Sequence, residues 1–177
     1  MSNVLARWNF LPAAAAVNEI LPCCGSRAWA DGMVSRRPLP DATALRAASD
    51  DIWRGLTEAD WLEAFRSHPR IGESGIGDSR TPRASTAKSA AWSEQEQRSI
   101  VEAGDLTKNG LADGNREYER RFGRIFIVCA TGKSPAEILK ILQSRLKNDE
   151  QTDLQQAAEE QRQITQIRLS KWLRAQG

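Results

Sequence analysis

The chain has 177 residues, which is enough for one domain with its own hydrophobic core, and we expect a single domain over residues 1–177. A formal net charge of +2 argues against a nucleic-acid-binding protein, which usually shows a clustered basic face. No apolar run reaches the ~20 residues of a membrane span and the N-terminal residues lack a signal-peptide pattern, so we expect a cytoplasmic protein without membrane contacts.

Helix signals dominate the first part of the chain. Pro12 and the alanines after it predict a helix with proline in its first turn. Ser26, Asp41 and Thr57 are residues that commonly cap helix starts, and glycines or prolines precede each of the three. The predicted helices run over residues 12–21, 26–33, 41–53 and 57–65.

A loop is predicted over residues 67–82. His68 precedes Pro69, and a residue before proline is pushed towards extended conformations, so this pair does not fit the middle of a helix. Three glycines follow closely. Long loops in compact domains are often functional, which makes this loop a candidate part of a site.

Helical patterns return in the second half, over residues 84–103, 107–122 and 149–173, and Ser134 to Glu137 has the form of a capping box. Residues 125–130 are apolar throughout, and periodicity does not decide between a buried extended segment and the core of a helix. We therefore predict an all-α protein with seven or eight helices and at most one strand-like segment.

His68 is the only histidine of the chain, and an imidazole can donate or accept a proton near neutral pH. Arg70 beside it offers a guanidinium that could hold a carboxylate. A loop histidine without a role is an equally open alternative from these residues alone. One histidine and three cysteines do not make a zinc site or a disulfide framework, and we expect no metal.

Two further sites have both a structural and a functional interpretation. Ser93 and Glu96 form a capping-box pattern, which by itself would explain both residues, and with Gln97 they could instead hold a small anionic ligand at a helix start. Arg168 lies beside the apolar stripe of the last helix. Its side chain either reaches solvent along that stripe or anchors a carboxylate in a pocket.

Together these motifs resemble those of the 2-oxo-4-hydroxy-4-carboxy-5-ureidoimidazoline (OHCU) decarboxylase family. The resemblance rests on the run of residues 68–72, His-Pro-Arg-Ile-Gly, and on the run of residues 93–97, Ser-Glu-Gln-Glu-Gln. It extends over nearly the whole chain. Two positions depart from the family pattern: Arg124 stands where an aromatic residue is common, and Gln166 where an arginine is common.

The resemblance implies an all-α, usually dimeric enzyme without metal or organic cofactor. It implies decarboxylation of a small-molecule ureide, OHCU, to (S)-allantoin as the last step of urate degradation, coupled functionally to urate oxidase and hydroxyisourate hydrolase. By residue matching it implies His68 and Glu96 as catalytic residues. The substrate-binding positions that it implies are Pro69, Ser93, Glu94, Gln95, Gln97, Phe126, Ile127, Val128, Cys129, Ala130 and Arg168.

Three alternatives stay open at this point. The long polar C-terminal helix would suit a binding or adaptor module without catalysis. The 25 lysines and arginines would suit a nucleic-acid-binding module. A different hydrolytic or isomerising step on ureides would keep the pathway and change the substrate. The sequence also leaves open whether Arg70 or Arg168 anchors the substrate carboxylate.

Overall fold

A computed structural model describes residues 3–71, 91–92 and 104–174. Eight α-helices and one 3-10 helix have their bounds within these ranges, where no strand occurs, and the all-α prediction is confirmed. No helix in this part of the chain combines the length and the apolar character of a membrane span. In chain order the elements are α1 (Asn3–Asn9), α2 (Ala13–Ile20), the 3-10 helix (Leu21–Cys23), α3 (Arg27–Ser35), α4 (Ala42–Arg54), α5 (Glu58–Arg66), α6 (Asp105–Phe122), α7 (Pro135–Arg145) and α8 (Glu150–Arg174).

The predicted caps are present at the helix starts. The Ser26 hydroxyl accepts a hydrogen bond from the amide of Trp29 at 3.3 Å, and the Asp41 carboxylate accepts one from the amide of Ala44 at 2.8 Å. Ser134 and Glu137 form a reciprocal capping box. The hydrogen bonds from Ser134 lower the pKa of the Glu137 carboxyl, as expected for a negative charge at a helix start.

One helix and the start of another differ most from the sequence prediction. Helix α1 was not predicted, and it forms because Val4, Leu5 and Trp8 are spaced to bury one face. Helix α6 begins at Asp105 rather than at residue 107, because the carbonyl of Gly104 already accepts the first helical hydrogen bonds. The predicted stop at Gly123 is confirmed, and its φ of 63° is a left-handed conformation that favours glycine.

The described contacts group the chain into two compact units. The first unit comprises residues 1–64 and 162–177, and the second comprises residues 65–161. The residues of α8 are divided between them. A single domain over residues 1–177 stays a prediction.

Tryptophans organise the core of the first unit. The rings of Trp8 and Trp172 meet edge to face, with 5.8 Å between their centroids. The indole N–H groups of three buried tryptophans have acceptors, which are the carbonyl of Ala16 for Trp8, the Ser49 hydroxyl for Trp29 and the Glu19 carboxylate for Trp172. These hydrogen bonds fix the orientation of the large rings, so the core has one arrangement rather than several.

The core of the second unit lies where α6 packs against α7. Gly114 permits this close approach, since a Cβ atom at this position would lie 2.6 Å from Cδ2 of Leu142. Ile71 and residues that follow α6 complete the core. Its members are Ile71, Leu111, Tyr118, Phe122, Phe126, Val128, Ala130, Ile138 and Leu142.

Candidate active site

His68 lies directly after α5 and outside any helix. Its main-chain amide donates to the carbonyl of Phe65 at 3.1 Å, which completes the helix end. The residue is 9% exposed, so it is not a surface histidine. Pro69 follows it, half-buried and outside any helix, as the sequence predicts.

Two residues of α6 hold this loop in place. The Asn115 side-chain amide donates to the carbonyl of Ile71 at 2.7 Å. The guanidinium of Arg70 makes two hydrogen bonds, at 2.5 and 2.8 Å, to the Glu119 carboxylate. A carboxylate of the protein therefore already neutralises the charge of Arg70.

Residues 125–130 form neither a helix nor a strand, so the alternative that this apolar run is the core of a helix is wrong. All five residues from Phe126 to Ala130 are at most 5% exposed. A buried main chain outside regular structure must find its hydrogen bonds elsewhere. Here side chains supply several of them, as the amide of Cys129 donates to the Glu160 carboxylate at 2.7 Å.

Helix α6 supports both the histidine loop and this segment. Asn115 and Glu119 hold the loop, as described above. One turn along, the ring of Tyr118 contacts the rings of Phe122 and Phe126, with centroids 4.7 and 5.3 Å apart. The two elements predicted to form the site therefore share one rigid support within the second unit.

A buried charged network lies behind residues 126–130. Asp153 is fully buried and accepts hydrogen bonds from Arg145 at 2.6 Å, from Arg124 at 2.8 Å and from the Tyr118 hydroxyl. Burial raises the pKa of Tyr118, and the hydrogen bond to Asp153 adds to this rise, so the phenol stays protonated as a donor. Arg145 also donates to the carbonyl of Ile127 at 3.3 Å, which joins the network to the segment.

Arg168 lies in the first unit and is fully buried, so the alternative in which its side chain reaches solvent is wrong. It is close enough to Cys24 for its positive charge to act on that thiol. Burial dominates there and raises the pKa of Cys24 to about 12, while a hydrogen bond with Thr165 and the charge of Arg168 oppose the rise. Arg168 is therefore a buried cation whose charge acts on the Cys24 thiol.

The remaining predicted positions, Ser93, Glu94, Gln95, Glu96 and Gln97, lie outside the described residues. The capping-box interpretation and the ligand-binding interpretation of that run both stay predictions. Trp92, directly before it, is helical.

Comparison with known proteins identifies the family. A family model described as OHCU decarboxylase matches residues 9–170. The chain belongs to the OHCU decarboxylase family. It is 35% identical over 152 residues to the uric acid degradation bifunctional protein TTL of Arabidopsis thaliana, covering 84% of this chain and 44% of that protein. It is 29% identical over 167 residues to the 2-oxo-4-hydroxy-4-carboxy-5-ureidoimidazoline decarboxylase of Amia calva, covering 94% of this chain and 89% of that one.

The fold agrees with a solved member of the OHCU decarboxylase family. A crystal structure of OHCU decarboxylase in the presence of (S)-allantoin superposes with a TM-score of 0.73 at 32% identity. The match covers 89% of this chain and 98% of that chain. The chain spans less than half the length of the Arabidopsis relative, so the match with that protein concerns one part of it.

The two departures from the OHCU decarboxylase pattern have structural explanations. Arg124 donates hydrogen bonds to the Glu150 and Asp153 carboxylates. Burial lowers the pKa of Arg124, but these hydrogen bonds outweigh burial, and the net effect is a raised pKa. Gln166 donates to the carbonyl of Arg46 at 3.1 Å and to the Asp50 carboxylate at 2.8 Å. Position 166 therefore bridges α8 to α4 near the surface, whereas position 168 is buried.

Sequence reasoning missed Asp153 and Glu160, which organise residues 126–130 from α8. The sequence contained a signal for Asp153, since Asp153, Gln161 and Thr165 lie at intervals of four with Ala157 of the apolar stripe, and the structure buries all four. Polar residues in phase with an apolar stripe mark buried hydrogen-bonding positions. No comparable pattern marks the half-buried Glu160.

Proposed function

We propose that this chain decarboxylates OHCU to (S)-allantoin in urate degradation. The observation that carries this proposal is the similarity, over 89% of the chain, to an OHCU decarboxylase crystallised in the presence of (S)-allantoin. Three relatives named as uric acid degradation bifunctional proteins support a place beside the other enzymes of that pathway. Functional coupling to urate oxidase and hydroxyisourate hydrolase follows as part of the proposal.

The chemistry needs a binding pocket and a proton donor. The bond between ring carbon 4 and the carboxyl carbon breaks, its electron pair forms a double bond between ring carbons 4 and 5, and the electron pair of the C=N unit moves to the ring nitrogen, which takes a proton. Carbon dioxide leaves, and the planar enol that remains takes a proton on ring carbon 5, which carries the ureido group, while its hydroxyl loses a proton and becomes the carbonyl of allantoin. Because the substrate is its own electron sink, we expect no cofactor.

His68 is the proposed proton donor. The residues after it, Arg70 and Ile71, are fixed to α6 through Glu119 and Asn115, and His68 itself is buried. A donor held on one face of the planar enol gives one hand of the product, whereas protonation from water gives both. One positioned acid contributes roughly 10²- to 10⁴-fold in rate.

Main-chain groups of residues 126–130 are the proposed partners of the ring and ureido groups, with Pro69 lining the pocket. Buried and largely apolar surroundings would favour loss of carbon dioxide, because the localised carboxylate charge spreads as the bond breaks. We propose Arg168 as the anchor of the carboxylate, because it matches the C-terminal arginine of the family motif and is fully buried.

For residues 93–97 the proposal rests on the family motif. Glu96 would orient the ureido or hydroxyl group and favour the charged form of His68, and Ser93, Glu94, Gln95 and Gln97 would contact the substrate. Glu96→Gln separates this role from capping. The proposal expects lost turnover with thermal stability retained, whereas lost stability with intact turnover would mean that Glu96 only caps its helix.

The decisive experiment uses urate treated with urate oxidase and hydroxyisourate hydrolase, which supplies fresh OHCU. Circular dichroism follows the appearance of optically active allantoin. We expect His68→Asn and His68→Gln to keep the far-ultraviolet spectrum and the melting temperature of the original chain. Both should lose roughly 10²- to 10⁴-fold in the rate at which optically pure allantoin forms. An unchanged rate and handedness in these variants would reject His68 as the donor.

Two further expectations are part of the proposal. A homodimer is expected from the family resemblance, and sedimentation equilibrium would test it. A cytoplasmic location is supported by the three buried thiols at Cys23, Cys24 and Cys129, which fit a reducing compartment. Fluorescence microscopy of a tagged chain in its own cell would test that location.

A further inference from the structure

The main chain of residues 126–130 has two edges with different partners. Phe126, Val128 and Ala130 pack into the same core, the alternation of an extended chain. In such a chain, residues two positions apart also point their N–H and C=O groups to the same edge. Ile127 and Cys129 therefore present their main-chain groups to one edge, and Phe126 and Val128 present theirs to the other.

Side chains of the protein occupy the first of these edges. The Glu160 carboxylate accepts from the amide of Cys129 at 2.7 Å, and the Lys133 ammonium donates to the carbonyl of Cys129 at 2.6 Å. Arg145 donates to the carbonyl of Ile127. Across the part of the chain that the structure describes, no hydrogen bond reaches the main-chain groups of Phe126 or Val128. Buried main-chain groups are nearly always paired, so the second edge suits a polar substrate.

Glu160 differs from Lys133 and Arg145 in how it reaches the segment. Lys133 is four residues from Cys129, so its hydrogen bond forms within one turn of chain. Arg145 is shared with Asp153 and Tyr118. Glu160 reaches Cys129 from α8, 31 positions along the sequence, and a carboxylate that accepts from an amide makes a short, charge-assisted hydrogen bond.

We propose that Glu160 is a positioning residue for the reaction: by holding the amide of Cys129 it fixes the rotation of residues 126–130 and so aims the main-chain groups of Phe126 and Val128 at the substrate. This rests on the proposed function, in which that segment binds the ureide. Glu160 acts by placing a hydrogen-bond acceptor at the Cys129 amide; its charge strengthens that bond but is not the main requirement, and it does not act as an acid or base.

Three substitutions at position 160 separate geometry from charge. Glu160→Gln keeps an oxygen acceptor at the same distance and should keep KM for OHCU within about fivefold, the loss expected for replacing a charged acceptor by a neutral one. Glu160→Asp keeps the charge, but its side chain is one methylene shorter, so its carboxylate lies farther from the amide of Cys129. It should raise KM and the inhibition constant of (S)-allantoin roughly 10- to 100-fold, as should Glu160→Ala. The pH profile of kcat should not change in any of them.

Glu159→Ala is the matched control, because Glu159 is the exposed neighbour on the same helix and its loss changes the net charge equally. It should leave KM unchanged. A residue that acts through its charge would give the opposite order, with Asp active and Gln impaired, and that order overturns the proposal. If Glu160→Ala does not fold, the comparison of KM between Glu160→Gln and Glu160→Asp still tests the proposal. Wild-type KM in Glu160→Asp also overturns the proposal.

Amide NMR separates this inference from the proposed function. In the unsubstituted chain, (S)-allantoin should shift the amide signals of Phe126 and Val128. Absence of these shifts means that the segment is not the binding site and rejects that part of the proposed function. Shifts in the unsubstituted chain, together with equal allantoin affinity in Glu160→Asp, reject only the positioning role of Glu160.

Discussion

Replacing Asp153 by asparagine tests whether the charged network behind the candidate site holds the second unit together. The Asp153 side chain is fully buried, and it is shared by Arg145, Arg124 and the Tyr118 hydroxyl. Asparagine has nearly the same shape but no charge, and its amide N–H₂ group cannot accept a hydrogen bond from an arginine. The variant therefore leaves two largely buried guanidinium groups without their shared carboxylate.

The expected magnitude follows from burial. Removing one partner of a buried ion pair costs about 3–5 kcal/mol, because the remaining charge stays out of water. In a chain of this size, each kcal/mol corresponds to about 2–4 °C in Tm, so a fall of about 6–20 °C is expected. Glu150 provides a matched control. It pairs with the same Arg124, but its side chain is 59% exposed, so Glu150→Gln should cost about 0–1 kcal/mol.

The assay is urea unfolding at neutral pH followed by far-ultraviolet circular dichroism, with a thermal melt of each variant. The expected result is a large decrease in the unfolding midpoint for Asp153→Asn and almost none for Glu150→Gln. A loss below about 1 kcal/mol in Asp153→Asn would refute the reasoning. Equal losses in the two variants would also refute it, because the difference in burial would then have no effect.

Two further predictions concern packing and titration. Gly114→Ala should lower the free energy of unfolding by about 1–3 kcal/mol in urea titrations, because its Cβ would lie 2.6 Å from Leu142. In the double variant with Leu142→Ala, the total loss should be smaller than the sum of the two single losses. Gly110→Ala, with a 3.1 Å approach to Leu139, should be closer to neutral because alanine favours the helix by up to about 1 kcal/mol, and equal losses at the two glycines would contradict the packing argument. Burial raises the pKa of Cys24 from 9.0 to about 12, so between these values the unfolded chain has lost a proton that the folded chain keeps, and the free energy of unfolding should fall as pH rises. Cys24→Ala should show a shallower fall in urea titrations at several pH values in that range, and an identical slope would contradict the assignment.

The helix starts and stops of this protein were predictable from the sequence because the interactions that form them are local. Ser26, Asp41 and Ser134 each accept from an amide three residues ahead, and Gly123 ends α6 through its own φ. Such contacts need only the neighbouring residues, so a short stretch of sequence contains all their partners. The all-α class follows from the sum of these local signals.

Only the tertiary structure decided what residues 125–130 do and where the buried charges lie. From its sequence alone the apolar run is compatible with a helix. In the folded chain, Glu160 of α8 and Arg145 of α7 form hydrogen bonds with its main-chain groups and hold it in a non-helical conformation. Arg168 has a solvent-facing alternative until its helix packs and buries it, and Asp153 is one polar residue among many until two arginines and a tyrosine surround it. These outcomes depend on partners many residues away in the sequence. The cost of burying a polar group is offset only when such partners meet, and that condition exists in the folded chain alone.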